Sequence, residues 1–93
     1  MKISANDGLA RLAESKKLFV ELFSHGTLSI EVYKPEKIDK QTPHDRDEVY
    51  IIISGQGNFF SDGVQYDFKP GDFFFVPAGI EHRFQNFSDD FST

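Results

Sequence analysis

Apolar positions follow helical spacing only at the start of this chain. Leu9, Leu12 and Ala13 fall on one face behind Asn6 or Asp7, either of which can serve as N-cap, and this predicts a short helix over 6–16. Such a helix is too short to persist in water unless it docks on something. From Leu18 onward β-formers take over. Leu18 to Phe23 and Thr27 to Tyr33 read as two strands around Ser24-His25-Gly26, and a Pro35-containing segment then breaks the pattern. Val49 to Ile53, Asn58 to Phe60, Val64 to Phe68, Phe73 to Val76 and Arg83 to Phe87 follow. Turn chemistry separates them at Gly55-Gln56-Gly57, Ser61-Asp62-Gly63, Pro70-Gly71-Asp72 and Pro77-Ala78-Gly79. Many short strands with Gly and Pro turns predict an all-β fold of antiparallel strands, a sandwich or barrel. Parallel βαβ units would need crossover helices.

The 93 residues leave room for one core, so residues 1–93 are expected to form a single domain, with no repeat, linker or low-complexity tract. Nine of the eleven Phe lie from Phe59 onward, which places that core late in the chain. Cysteine is absent, which excludes disulfides, thiolate ligands and cysteine nucleophiles, so any metal must be held by nitrogen and oxygen. A formal net charge of −5 without a basic cluster argues against nucleic acid and anionic membranes as partners. The N-terminal residues lack the apolar run of a signal peptide, and no stretch approaches the roughly 18 apolar residues of a membrane span. A cytoplasmic location is therefore expected.

His44 and Glu48 stand four residues apart just before a β-branched run. On a straight strand that separation is about 13 Å, too far for one ion whose ligands sit at about 2 Å. They can share an ion only if the chain reverses at Asp45-Arg46-Asp47, with His44 ending one strand and Glu48 opening the next. A helix would also align them, but Pro43 and Val49 to Ile53 oppose one. His82 follows the Pro77-Ala78-Gly79 turn and opens a strand, where side chains of a small barrel can converge.

Gly71, Pro77, Gly79, His82 and Asn86 reproduce Gly-x5-Pro-x-Gly-x2-His-x3-Asn without a gap, and this run resembles the second conserved motif of the cupin superfamily. His44, Glu48 and Gly55 fall at the spacing of the second His, the Glu and the closing Gly of the first cupin motif, while Thr42 replaces its first His and Glu36 its leading Gly. The resemblance, strongest to small stand-alone bacterial cupins, implies a jelly-roll β-barrel over residues 18–93 with the metal in its mouth. Its usual four ligands would be reduced to His44, Glu48 and His82. It implies one divalent ion, with Fe, Zn, Mn and Ni all compatible with such a set. It also implies a small-molecule ligand and often a dimer. A metal-dependent enzyme, a dioxygenase or an isomerase, is the leading reading. The alternative is a non-catalytic module that binds a metabolite or sugar.

Around the ion, Thr42 is placed to hold a metal-bound water on the face of His44, whereas Gln41 should point to the other face of a regular strand. Strand parity puts Tyr50 and Ile52 in the interior with Glu48, and Phe84 and Asn86 there with His82. Arg46 is a candidate for a substrate carboxylate. Tyr50, His25 and Glu81 are the available acid-base groups. Family resemblance calls for one more strand after Asp90, so either the barrel lacks its last strand or another segment fills that edge. An open edge would favour a homodimer.

Overall fold

A computed structural model describes residues 1–93. Helix α1 spans Ala5–Ser15. Its cap is Ser4, not Asn6 or Asp7. The Ser4 hydroxyl accepts from the Asp7 N–H at 3.0 Å, and the Asp7 carboxylate accepts from the Ser4 N–H at 3.4 Å, so each satisfies a backbone donor that the helix start leaves unpaired. Lys16, left-handed at φ 56, ends the helix. The helix docks through Leu12 and Gly8. A Cβ at Gly8 would lie 2.8 Å from Val32 Cγ2 and 2.9 Å from Leu22 Cδ1, so the missing side chain is what lets helix and sheet approach.

Strands β1 (Phe19–His25) and β2 (Leu28–Tyr33) form a hairpin around Gly26 and Thr27, with a register irregularity between Glu21 and Phe23. Strand β3 (Glu48–Ile51) pairs with β6 (Phe73–Val76), and β4 (Gly57–Ser61) lies between β5 (Val64–Phe68) and β7 (His82–Gln85). All ladders are antiparallel, so the all-β expectation with one short helix is met. The strands form three separate sheets around one core and do not join into a continuous closed ladder.

The inward faces of β3, β4, β6 and β7 meet in that core. Tyr50, Ile52, Phe59, Phe68, Val76, Phe84 and Phe91 are buried together, with Phe74, Ile80 and Phe87 packed around them. Phe84 lies at the centre, its ring 4.6 Å from Phe59 and 4.7 Å from Phe91. The late phenylalanines thus supply most of the core, as the sequence predicts. Residues 91–93 are buried and pair with two other segments of the chain. Ser92 pairs with Ser54, and Thr93 exchanges backbone hydrogen bonds with Tyr33 at 2.7 and 2.9 Å. No helix is long and apolar enough to cross a membrane.

Candidate metal centre

Glu48 opens β3 with its side chain on the inner face, two residues from Tyr50 on the same face. His82 opens β7, with Phe84 two residues on. His44 sits in irregular chain just before a bend at Asp45 and Arg46. The chain does turn between His44 and Glu48, but His44 ends no strand. Pro43 cannot donate to a ladder and so works against a regular strand there. Two hydrogen bonds fasten this loop to the turn that precedes His82: the His44 carbonyl accepts from the Gly79 N–H at 2.7 Å, and Asp47 Oδ1 accepts from the Ala78 N–H at 2.9 Å. The two motif segments are therefore joined next to the site.

His44, Glu48 and His82 each present one ligand atom, and these atoms lie within 4.8 Å of one another. Glu48 Oε1 is 3.1 Å from His44 Nε2 and 3.9 Å from His82 Nε2. Neither approach has the alignment of a hydrogen bond, and Glu48 Oε1 is buried without a partner. The side chains are 1%, 23% and 41% exposed for His82, Glu48 and His44, so the cluster runs from the core outward and opens on the His44 side.

The Tyr50 hydroxyl lies among these groups, 2.6 Å from Glu48 Oε2, 2.8 Å from Gln41 Oε1 and 3.1 Å from His82 Nε2. His82 Nδ1 is 2.8 Å from the Ile80 carbonyl, which can only accept, so Nδ1 carries the proton and Nε2 offers its lone pair inward. Gln41 donates from Nε2 to Asp39 Oδ2 at 2.7 Å, so its oxygen faces inward. Gln41 Oε1, both Glu48 oxygens and His82 Nε2 are all acceptors. Only the Tyr50 hydroxyl and one His44 N–H can supply hydrogens. A buried excess of lone pairs is costly without a cation, and two imidazoles with one carboxylate fit a divalent transition metal or zinc. Burial, followed by the hydrogen bond to Glu48 and its charge, pushes the Tyr50 phenol well above its ordinary value of 10.0, so it stays a neutral hydroxyl.

The remaining predicted residues divide. Tyr50, Ile52 and Phe84 are buried as strand parity requires, with Phe84 edge-on to Tyr50 at 5.2 Å. Asn86 is not inside. β7 stops at Gln85, and Asn86 takes a left-handed φ of 52 that turns its exposed side chain to Asn58. Thr42 is exposed, and the residue that reaches the cluster is Gln41, because face alternation does not hold in chain that is not a strand. Arg46 is exposed and forms no ion pair, while Arg83 pairs with Glu81 and His25 is exposed at the end of β1. A shallow concavity of about 530 Å³ lies elsewhere, lined by Gln56, Asn58, Asp67, Asn86 and neighbours, and includes none of the cluster. Sequence reasoning also missed the buried Asp39, which accepts four hydrogen bonds. The available signal was Pro43, which withdraws the parity rule from the residues before it.

The cupin domain family model matches residues 29–92, more than half of the chain. An uncharacterised protein of Streptomyces coelicolor is 28% identical over 89 residues, covering 94% of this chain and 76% of that protein. RhaS, a helix-turn-helix-type transcriptional activator of Mannheimia succiniciproducens, is 30% identical over 60 residues, which is 64% of this chain and 22% of the activator. No solved structure gives a significant match. Family match, antiparallel sheets and the His-Glu-His grouping agree, and this chain belongs to the cupin family.

Proposed function

We propose that this cupin holds one divalent metal ion through His44, Glu48 and His82 and acts on a small organic molecule as a metal-dependent enzyme of the oxygenase or isomerase kind. The observation that carries the reading is the inward excess of acceptors, with Glu48 Oε1 left buried and unpartnered. A bound ion would supply Lewis acidity or oxygen activation. The chain's own contributions are distinct from that. The Ile80 carbonyl holds His82 in the tautomer that exposes Nε2, and second-sphere contacts of this kind set ligand orientation. Phe59 and Phe84 exclude water behind the site, and the Tyr50 hydroxyl keeps a proton beside it.

A second reading, a non-catalytic module binding a metabolite or sugar, has its own support. Part of the chain's likeness is to a transcriptional activator. Apart from Tyr50, the candidate acid-base groups lie away from the cluster or in an exposed ion pair. We propose in addition that two copies associate through the outer face of β3 and β6, where Val49, Ile51, Phe73 and Phe75 are each more than half exposed. Two such faces in contact bury on the order of 800 Å² of apolar surface, the centre of an interface of standard size.

Elemental analysis of protein purified without added metal tests the first reading. One equivalent is expected in the native chain, with at least a tenfold fall in His44→Ala and His82→Ala. Undiminished metal in both variants overturns the site. Oxygen uptake by Fe(II)-loaded protein over a panel of small acids and catechols then tests the oxygenase form of this reading, since uptake is expected of an oxygenase and of neither an isomerase nor a passive binder.

A further inference from the structure

We propose that Gln41 is the fourth protein ligand, through its side-chain oxygen, and that Asp39 acts as a positioning residue by fixing the orientation of that amide. The proposal rests on the metal reading above and assigns to the ion a donor from a different sequence position than the family motif provides. Thr42, at the motif position, is exposed. Gln41 Oε1 lies 2.8 Å from Tyr50 Oη and 3.2 Å from His44 Nε2, inside the same group of inward acceptors as Glu48 and His82.

A glutamine amide can turn over and present its NH₂ instead, which would repel a cation. Asp39 prevents this. It is 6% exposed and takes the Gln41 Nε2 donor at 2.7 Å on Oδ2. The carboxylate is itself anchored from three directions: by the Tyr33 hydroxyl at 2.7 Å, the Gln41 backbone N–H at 3.1 Å and the Phe84 N–H at 2.9 Å. It thus ties the end of β2 and the middle of β7 to the loop that carries Gln41. A carboxylate can only accept, so the amide nitrogen is held toward Asp39 and the oxygen toward the cluster. The resulting set is two imidazole nitrogens, one carboxylate and one neutral carbonyl oxygen. Exchanging an imidazole for a carbonyl makes the site harder, favouring manganese or iron over copper relative to a three-histidine site.

Cobalt(II) titration of the full chain, read by isothermal calorimetry and by the visible ligand-field bands, tests this. In Gln41→Ala, affinity is expected to fall roughly 10- to 100-fold and the bands to shift. Asp39→Asn is expected to weaken binding similarly, and to add nothing when combined with Gln41→Ala, because Asp39 acts through Gln41. Should Asp39→Asn fail to fold, Gln41→Ala alone decides. Native affinity and spectrum in Gln41→Ala, with binding lost in His82→Ala, removes Gln41 from the site and leaves the three-ligand reading standing. Absence of cobalt binding in the native chain overturns that reading and Gln41's role with it.

Discussion

A single proton on Tyr50 faces three acceptors, and this sets what the side chain does with and without metal. In the metal-free protein the hydroxyl partly satisfies Glu48, Gln41 and His82. Tyr50→Phe is expected to cost about 1–2 kcal/mol there, the usual penalty for leaving buried acceptors unpaired. In saturating zinc the cost is expected to shrink, because the ion takes over those lone pairs. Urea unfolding of both proteins with and without zinc measures this, and an equal cost in the two conditions would refute the shared role. His44, Glu48 and His82 were legible because their spacing survives in the sequence, whatever the exact backbone between them. Gln41 and Asp39 were not, since inferring their direction required a regular strand that Pro43 discourages. Asn86 departs from expectation for the opposite reason: strand alternation ends at Gln85, and φ turns positive at Asn86 itself.

Elements with strong punctuation at both ends were read most closely. β5 and β6 have the expected bounds because Ser61-Asp62-Gly63, Pro70-Gly71 and Pro77 bracket them, whereas β1, β3 and β7 shift by one or two residues where turn chemistry is weaker. The helix starts one residue earlier than its apolar spacing predicts, because Asn6 and Asp7 are good caps in isolation while Ser4 with Asp7 satisfies two donors at once. Its docking depends on Gly8. Alanine there would gain up to about 1 kcal/mol in helix propensity, yet its Cβ would press on the stiff, buried Val32 side chain at 2.8 Å. Crowding of that kind costs about 1–3 kcal/mol, so Gly8→Ala is expected to lower thermal stability. An increase would show that the helix shifts away at no cost.

At the scale of the whole molecule, the outer face of β3 and β6 sets Val49, Ile51, Phe73 and Phe75 side by side, each more than half exposed. Light scattering at micromolar concentration is expected to give a dimer for the native chain and a monomer for Phe75→Asp, with unchanged circular dichroism. A monomeric native chain overturns that interface. Residues 91–93 instead tie the first hairpin to the chain that follows β3. Gly55, left-handed at φ 86, lets Phe91 come so near that a Cβ would lie 2.5 Å from its Cα, and Ser92 and Thr93 join Ser54 to Tyr33. The partners of this seam are some 38 and 60 residues apart in the chain, and such pairings must meet the entropy of large loops before they contribute. Folding should therefore be slow for the chain's size and cooperative from end to end. A fragment carrying only the first motif would lack the buried Phe84 and Phe91 and the strand that presents His82, so the grouping of His44, Glu48 and His82 assembles only when the second half of the chain packs on the first.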